Sequence, residues 1–311
     1  NVIGKIYAGI ADDMLTTTIM ATTAPKYLCP AMNTEMYNNP ITQRNLEGLR
    51  SLGYHIMDPA EGWLACGITG VGRLPEPEAI VDWLEAKMCS TNELEGTTIL
   101  VTAGGTQESI DPVRYIGNRS SGKMGYAIAE QAARMGAKVI LVSAPTSLPI
   151  PSGVDFISVD SAVSMQEAVE ARYNDVNVVI MAAAVSDFRV LHKAEQKIKK
   201  MESMTIKLVK NPDILQGLGT KKSHQILVGF AAETEHVIKY GQDKVAKKNL
   251  DMLVANDVSK SNAGFNVDTN EGYFLYPDKE PKEMPNMKKS DLARHILREV
   301  IDLVANKADI N

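Results

Sequence analysis

The segment Thr97–Gly136 leaves the chain little freedom of fold. It opens with Ile99-Leu100-Val101, an apolar run that reads as a strand buried on both faces, as in a parallel sheet. Gly104-Gly105-Thr106 follows, small enough to bring a ligand against the backbone. A second turn, Gly117–Gly122, leads into a helix carrying Ala127, Ala129, Ala132 and Ala133. Such a turn presents unpaired N–H groups and the positive end of a helix dipole, which suits a phosphate.

Two standard phosphate motifs fail here. Gly117–Lys123 matches G-x-x-x-x-G-K, but Met124 stands where a P-loop carries its magnesium-binding Ser or Thr. The turn also lies well past its strand. The dinucleotide fingerprint G-x-G-x-x-G is absent where the strand ends in Gly-Gly-Thr, which disfavours a Rossmann oxidoreductase. A nucleotide-type phosphate loop of neither family remains.

The rest of the chain alternates strands and helices. Lys138–Ser143, Phe156–Val159, Val176–Ala184, Thr205–Lys210, Ile226–Ala232, Leu250–Ala255 and residues 272–276 read as strands. Helices are expected over 161–173, from Asn211-Pro212-Asp213 onward, over 235–249 and over 289–306. This predicts an α/β fold with a doubly wound, mostly parallel sheet and antiparallel strands at one edge. Asp187 falls just past the apolar run 176–184, where open α/β sheets bind ligands. The run His192–Lys200 reads by itself as a solvated charged face.

Before residue 90 the pattern is less regular. Residues 1–28 read as one helix and a strand, with Asp12 and Asp13 on a solvated helix face. Asn33, in Pro30-Ala31-Met32-Asn33, could meet a carboxylate or amide substrate, or cap a helix. Residues 42–57 suggest a helix and a short strand. Ala65–Pro77 reads as a mobile glycine-rich loop, in which Cys66 could be reactive or inert. A helix over 78–89 and a linker over 90–95 complete the region.

The 311 residues, 44% hydrophobic, have room for two domains. A net charge of −5 argues against non-specific nucleic-acid binding. Three cysteines without metal spacing indicate a reducing, cytoplasmic setting. No apolar run approaches the ~20 residues of a membrane span. Beginning at Asn1, the chain reads as lacking an upstream segment.

Taken together, TAGGTQESIDPVRYIGNRSSGKMG, AAAVSDF, EQKIKK, KNPDIL, GFAAET and KKNLDMLVAND resemble the ligase half of the bifunctional phosphopantothenoylcysteine decarboxylase / phosphopantothenate–cysteine ligases of coenzyme A biosynthesis. PAMNTEM and ACGITGVGR resemble the decarboxylase half. The resemblance implies the C-terminal half of a flavodoxin-like domain over 1–89 and a ligase domain over 96–311. The ligase would use CTP and Mg²⁺, forming an acyl-cytidylate that cysteine then attacks. Lys197 would stabilise charge during cytidylate formation, Asn118 would orient the acyl carbonyl, and Asp187 would contact CTP or its metal. Gly104, Ser120, Ser121, Gly122, Ala183, Asn211, Pro212, Asp213, Ile214, Phe230, Lys244 and Lys248 would bind CTP. Arg114 would meet substrate phosphate or a subunit interface, and Asn33 the substrate's carboxylate or amide. Cys66 would donate a proton after FMN-dependent oxidative decarboxylation. No histidine matches the family's catalytic one, so the front half would lack its base and an alternative is a flavin-binding module without turnover. Leu74 replaces the family's Met after Gly-Arg, a volume-conserving change. Ligase dimers and decarboxylase trimers would build a dodecamer.

Overall fold

The computed structural model describes residues 1–64, 67, 69–88, 91–200, 202–233, 235–257 and 269–308. The chain divides into two compact units, Asn1–Cys89 and Ser90–Asn311.

The first unit begins with two helices, α1 (Val2–Ala8) and α2 (Met14–Ala21), where the sequence suggests one. Gly9 ends α1 in a left-handed conformation, and Asp13 caps α2 by accepting from the Thr16 N–H at 2.8 Å. Asp13 therefore makes a helix boundary instead of lying on a solvated helix face, and Lys5 pairs with it and with Asp12. Then come β1 (Tyr27–Leu28), α3 (Thr34–Asn38), α4 (Pro40–Ser51) and β2 (His55–Ile56), with β1 and β2 parallel. Leu46 and Leu49 of α4 are fully buried. β3 (Ala60–Trp63) and β4 (Thr69–Arg73) form an antiparallel hairpin before α5 (Pro77–Met88). Part of the glycine-rich stretch is thus strand: Gly70 and Gly72 sit in β4, where a Cβ on Gly72 would lie 2.1 Å from the Met32 carbonyl oxygen. Cys66 lies outside the described residues.

The second unit starts with β5 (Thr98–Ala103), β6 (Gln107–Ser109) and β7 (Tyr115–Gly117), followed by α6 (Lys123–Arg134). β8 (Lys138–Ser143), β9 (Val154–Ser158), α7 (Ala162–Glu170) and β10 (Val178–Met181) come next. A short antiparallel pair, β11 (Phe188–Val190) and β12 (Leu208–Lys210), precedes α8 (Ile214–Lys221), β13 (Ile226–Glu233), α9 (Val237–Lys247) and β14 (Met252–Asp257). β15 (Thr269–Leu275), β16 (Lys282–Lys288) and α10 (Lys289–Ala308) end the fold.

Eight strands form one sheet in the order β16-β15-β14-β13-β10-β5-β8-β9. β14 through β9 are parallel, and β15 and β16 close one edge antiparallel, as the alternation predicts. The pleat divides β5 between two cores. Ile99, Val101 and Ala103 pack with Ile128 and Ala132 of α6 and Leu292 and Ile296 of α10. Leu100, on the opposite face, packs with Met165 of α7, Leu218 of α8 and Val245 of α9. The sequence reading missed β16, whose KEMPNMK carries one buried residue, Met284. It also missed the β6/β7 hairpin inside the organising segment, whose strands are three residues each.

Candidate active site

The carboxyl ends of β10, β13 and β14 and the N-terminus of α6 border a cavity of about 350 Å³. Its floor is made where two strand-end loops are knitted together. Thr102 accepts the Ala183 N–H at 3.1 Å, and the Ala184 N–H donates to the Gly104 carbonyl at 2.8 Å. Thr106 Oγ1 accepts the Ser186 N–H at 2.9 Å, so Gly104-Gly105-Thr106 and Ala183–Ser186 cross as one layer. Gly104 supports this layer from behind: at φ 79° its missing side chain admits the Ala144 carbonyl oxygen, which a Cβ would meet at 2.6 Å.

One wall is the N-terminus of α6. Gly122 caps it in the left-handed region at φ 74° and offers no side chain to its orphan N–H groups. Ser120, Ser121, Lys123 and Gly125 line the cavity around that end, where the positive end of the helix dipole favours an anion. Asn118 lines the cavity too, its Nδ2 donating to the Val185 carbonyl at 3.1 Å. Ala183 and Asp187 come from the β10 end, Phe230 from β13 and Lys244 from α9.

Gly104, Asn211, Pro212, Asp213, Ile214 and Lys248 are not cavity-lining residues. Asn211 is buried and acts from behind: its Nδ2 donates to the Ser186 carbonyl at 2.8 Å, and its N–H to the Asp187 carbonyl at 2.8 Å, which fixes the turn bearing Asp187. Asp213 caps α8 through the Gln216 N–H at 3.0 Å and pairs with Lys248 at 2.9 Å. Burial opposes that carboxylate, but Lys248 and the Gln216 N–H bring it below its ordinary value. Ile214 belongs to the core. Lys197 is exposed and Arg114 is paired with Asp111, both outside the cavity lining.

Among the lining residues not expected from the sequence are three polar ones, Asn256 on β14, Asn270 on β15 and Lys289 at the start of α10. Asn270 and Lys289 are 3% and 7% exposed. The Oδ1 atoms of Asn256 and Asn270 are buried without a hydrogen-bond partner among the described residues. An unmade bond of that kind costs about 1–3 kcal/mol, so these atoms suit a ligand that donates. Lys289 had a legible signal: a cation in the first turn of a helix opposes the dipole.

Among the described residues no three His, Cys, Asp or Glu side chains gather to hold a metal. A lone carboxylate beside an anion site still suits Mg²⁺, which is commonly held by one or two carboxylates together with substrate phosphates.

In the first unit, Met32, Asn33, Trp63, Leu64, Arg73 and Leu74 line a separate hollow. Asn33 lines it and caps α3, accepting from the Glu35 N–H at 2.8 Å. Arg73, at the edge of this hollow, is ion-paired with Glu76.

Residues 94–304 match the family model of the DNA/pantothenate metabolism flavoprotein C-terminal domain, and residues 1–89 match the flavoprotein family model. The chain belongs to this family. It is 49% identical to the coenzyme A biosynthesis bifunctional protein CoaBC of Bacillus subtilis (strain 168), over 97% of this chain and 76% of that protein. The CoaBC protein of Escherichia coli (strain K12) is 45% identical over 97% and 75%. The crystal structure of a CoaBC C-terminal domain, 43% identical, superposes with a TM-score of 0.61 over 70% of this chain and all of that one. Among the described residues no helix is long and apolar enough to cross a membrane.

Proposed function

We propose that the second unit joins phosphopantothenate to cysteine at the expense of CTP, and that the first belongs to the flavin-dependent decarboxylase acting on the product, both serving coenzyme A biosynthesis in the cytoplasm. One observation carries the nucleotide reading. The cavity sets a helix N-terminus suited to an anion against buried amide oxygens that have no donor among the described residues. A nucleoside triphosphate has both complements, phosphates at one end and base N–H or ribose O–H groups at the other.

In this reading the α6 terminus, Ser120, Ser121 and Lys244 take the triphosphate, while Phe230, Asn256 and Asn270 face the nucleoside. The substrate carboxylate attacks the α-phosphorus, expelling pyrophosphate. The cysteine amine then attacks the acyl carbon, expelling CMP. Asn118 orients the acyl group for the second step, and Lys197 compensates charge developing in the first. Mg²⁺, held by Asp187 and the phosphates, would neutralise triphosphate charge. Such chemistry runs on positioning and electrostatics without a protein nucleophile. FMN would serve the first unit, where Asn33 contacts the substrate arm. Dimers of the second unit and trimers of the first would assemble the oligomer.

The test is pyrophosphate release with phosphopantothenate, Mg²⁺ and either CTP or ATP, with and without cysteine. CTP-dependent release, lowered about 10²–10³-fold in Lys197→Ala, is expected for loss of one transition-state charge partner. Release with neither nucleotide would refute the ligase reading.

A further inference from the structure

We propose that Asp111 is a positioning residue, fastening the segment that carries Lys197 to the hairpin that carries Asn118; the consequence for rate rests on the role given to Lys197 above.

The side chain of Asp111 is completely buried, and a buried carboxylate persists only where it is paired and hydrogen-bonded. Asp111 lies at the tip of the β6/β7 hairpin. There Oδ1 accepts the N–H groups of Val113 at 2.8 Å and Arg114 at 2.9 Å, and Oδ2 accepts Arg114 Nε at 3.0 Å and Nη2 at 2.6 Å. Those four contacts would suffice to shape the turn. A fifth comes from 87 residues away, the Ile198 N–H, at 3.1 Å from Oδ2. Arg114 Nη2 also donates to the Ile198 carbonyl at 2.8 Å. The acid and the base thus hold one residue of the distant segment by its N–H and its C=O together.

A second tie fixes the other end, where the Ala194 N–H donates to the Ile110 carbonyl at 2.9 Å. Residues 195–197 are exposed and belong to no helix or strand, so these ties place them. Consecutive Cα atoms are about 3.8 Å apart, so holding Ile198 also limits where the Lys197 side chain starts. The other end of the same hairpin is Gly117, paired with Gln107, and Asn118 follows it into the cavity. Three residue pairs at about 3.4 Å each put the tip roughly 10 Å from that end. One small hairpin therefore carries Asn118 at its base and the grip on the Lys197 segment at its tip.

Asp111→Asn tests this. It leaves an oxygen for the turn amides but weakens the Arg114 pair and turns an NH₂ toward the Ile198 N–H. Hydrogen exchange at Ala194 and Ile198 should accelerate at least tenfold, with exchange in β5 unchanged. Pyrophosphate release should slow by about 10²-fold, the scale of a misplaced catalytic group, in kcat and not in KM for CTP. The double variant Asp111→Asn/Lys197→Ala should be no slower than Lys197→Ala alone, because both remove one function. If Asp111→Asn folds poorly, Ile198→Pro deletes the long-range donor and should show the same non-additivity. Multiplicative losses in the double variant, unchanged exchange at Ala194 and Ile198, or accelerated exchange with an unchanged rate would each overturn the proposal. If Lys197→Ala alone leaves release intact, the role of Lys197 fails, while exchange still decides whether Asp111 holds the segment.

Discussion

Gly125 offers a sharp test of how the anion site is built. It lies in the first turn of α6, against β5. A Cβ there would fall 2.7 Å from the Ala103 Cβ, 2.8 Å from the Thr102 carbonyl oxygen and 3.1 Å from the Ala103 Cα. Two of those atoms are backbone of a strand paired on both sides, so no rotamer change relieves the clash. α6 must instead lift from the sheet, loosening Ile128, Ala129 and Ala132, all fully buried. Overpacking of this kind costs about 1–3 kcal/mol, while the better helix propensity of Ala returns about 0.5–1 kcal/mol. Gly125→Ala should therefore lose roughly 1–2 kcal/mol, a fall of about 2–8 °C in Tm for a domain of this size. The same shift moves the N–H groups at the helix start, so KM for CTP should rise roughly tenfold, the loss of about one charge-assisted hydrogen bond.

Gly217 supplies the matched control. It lies inside α8, and a Cβ there would meet nothing within 4 Å. Gly217→Ala should stabilise by about 0.5–1 kcal/mol on propensity alone. Calorimetry on the two variants should show opposite shifts. If both move Tm the same way, or if Gly125→Ala keeps the parental Tm and KM for CTP, the packing argument is wrong.

Three further outcomes are expected. Asp213→Ala removes the cap of α8 and should cost about 1 kcal/mol in urea unfolding, because Asp213 also pairs with Lys248. Burial, with a smaller push from Asp251, raises the Tyr173 hydroxyl to about 12, and it donates to the Leu218 carbonyl at 3.0 Å. In an ultraviolet titration Tyr173 should remain un-ionised as exposed tyrosines titrate near 10. Its stabilising contribution should be complete below pH ~10 and lost as pH rises toward 12. Burial opposes the Asp111 charge, but Arg114 and three backbone N–H groups outweigh it and hold the carboxyl well below the usual carboxylate range. Its contribution is present above pH ~4 and disappears only as pH falls through the depressed folded value, so protection at Ile198 should be flat between pH 7 and 4.

The parallel sheet was legible because its inner strands β5, β8, β10 and β13 are apolar runs, and because buried parallel strands need no alternation. Asp187 was legible for a related reason: the end of such a run is where the fold places ligands. The glycine loop before α6 was read as a phosphate-type turn from its residues alone, and it does lead into the N-terminus of α6. What escaped were short elements whose partners lie elsewhere. β16 has only Met284 buried, and β6 and β7 are too brief for any periodicity. α1 and α2 read as one helix because the apolar spacing runs on across Gly9 and Asp13, and the break between them is made by local caps.

The site residues divide along the same line. Asn118, Ser120, Asp187 and Lys244 border the cavity; a predicted strand end placed Asp187, the glycine turn before α6 placed Ser120, and Asn118 and Lys244 came from the family resemblance. Asn256, Asn270 and Lys289 depend on β14, β15 and α10 meeting at one edge, and β15 joins β14 by an antiparallel pairing that the spacing of apolar residues does not specify. Lys197 is the extreme case. Its neighbours Glu195, Gln196, Lys199 and Lys200 are all exposed, so by composition it belongs to a solvated charge run. Nothing nearby in sequence separates it from Lys199. Ile198, hydrogen-bonded to a buried carboxylate 87 residues earlier, anchors Lys197 and Lys199 alike, one on either side of it, so the choice of Lys197 between them comes from the family resemblance.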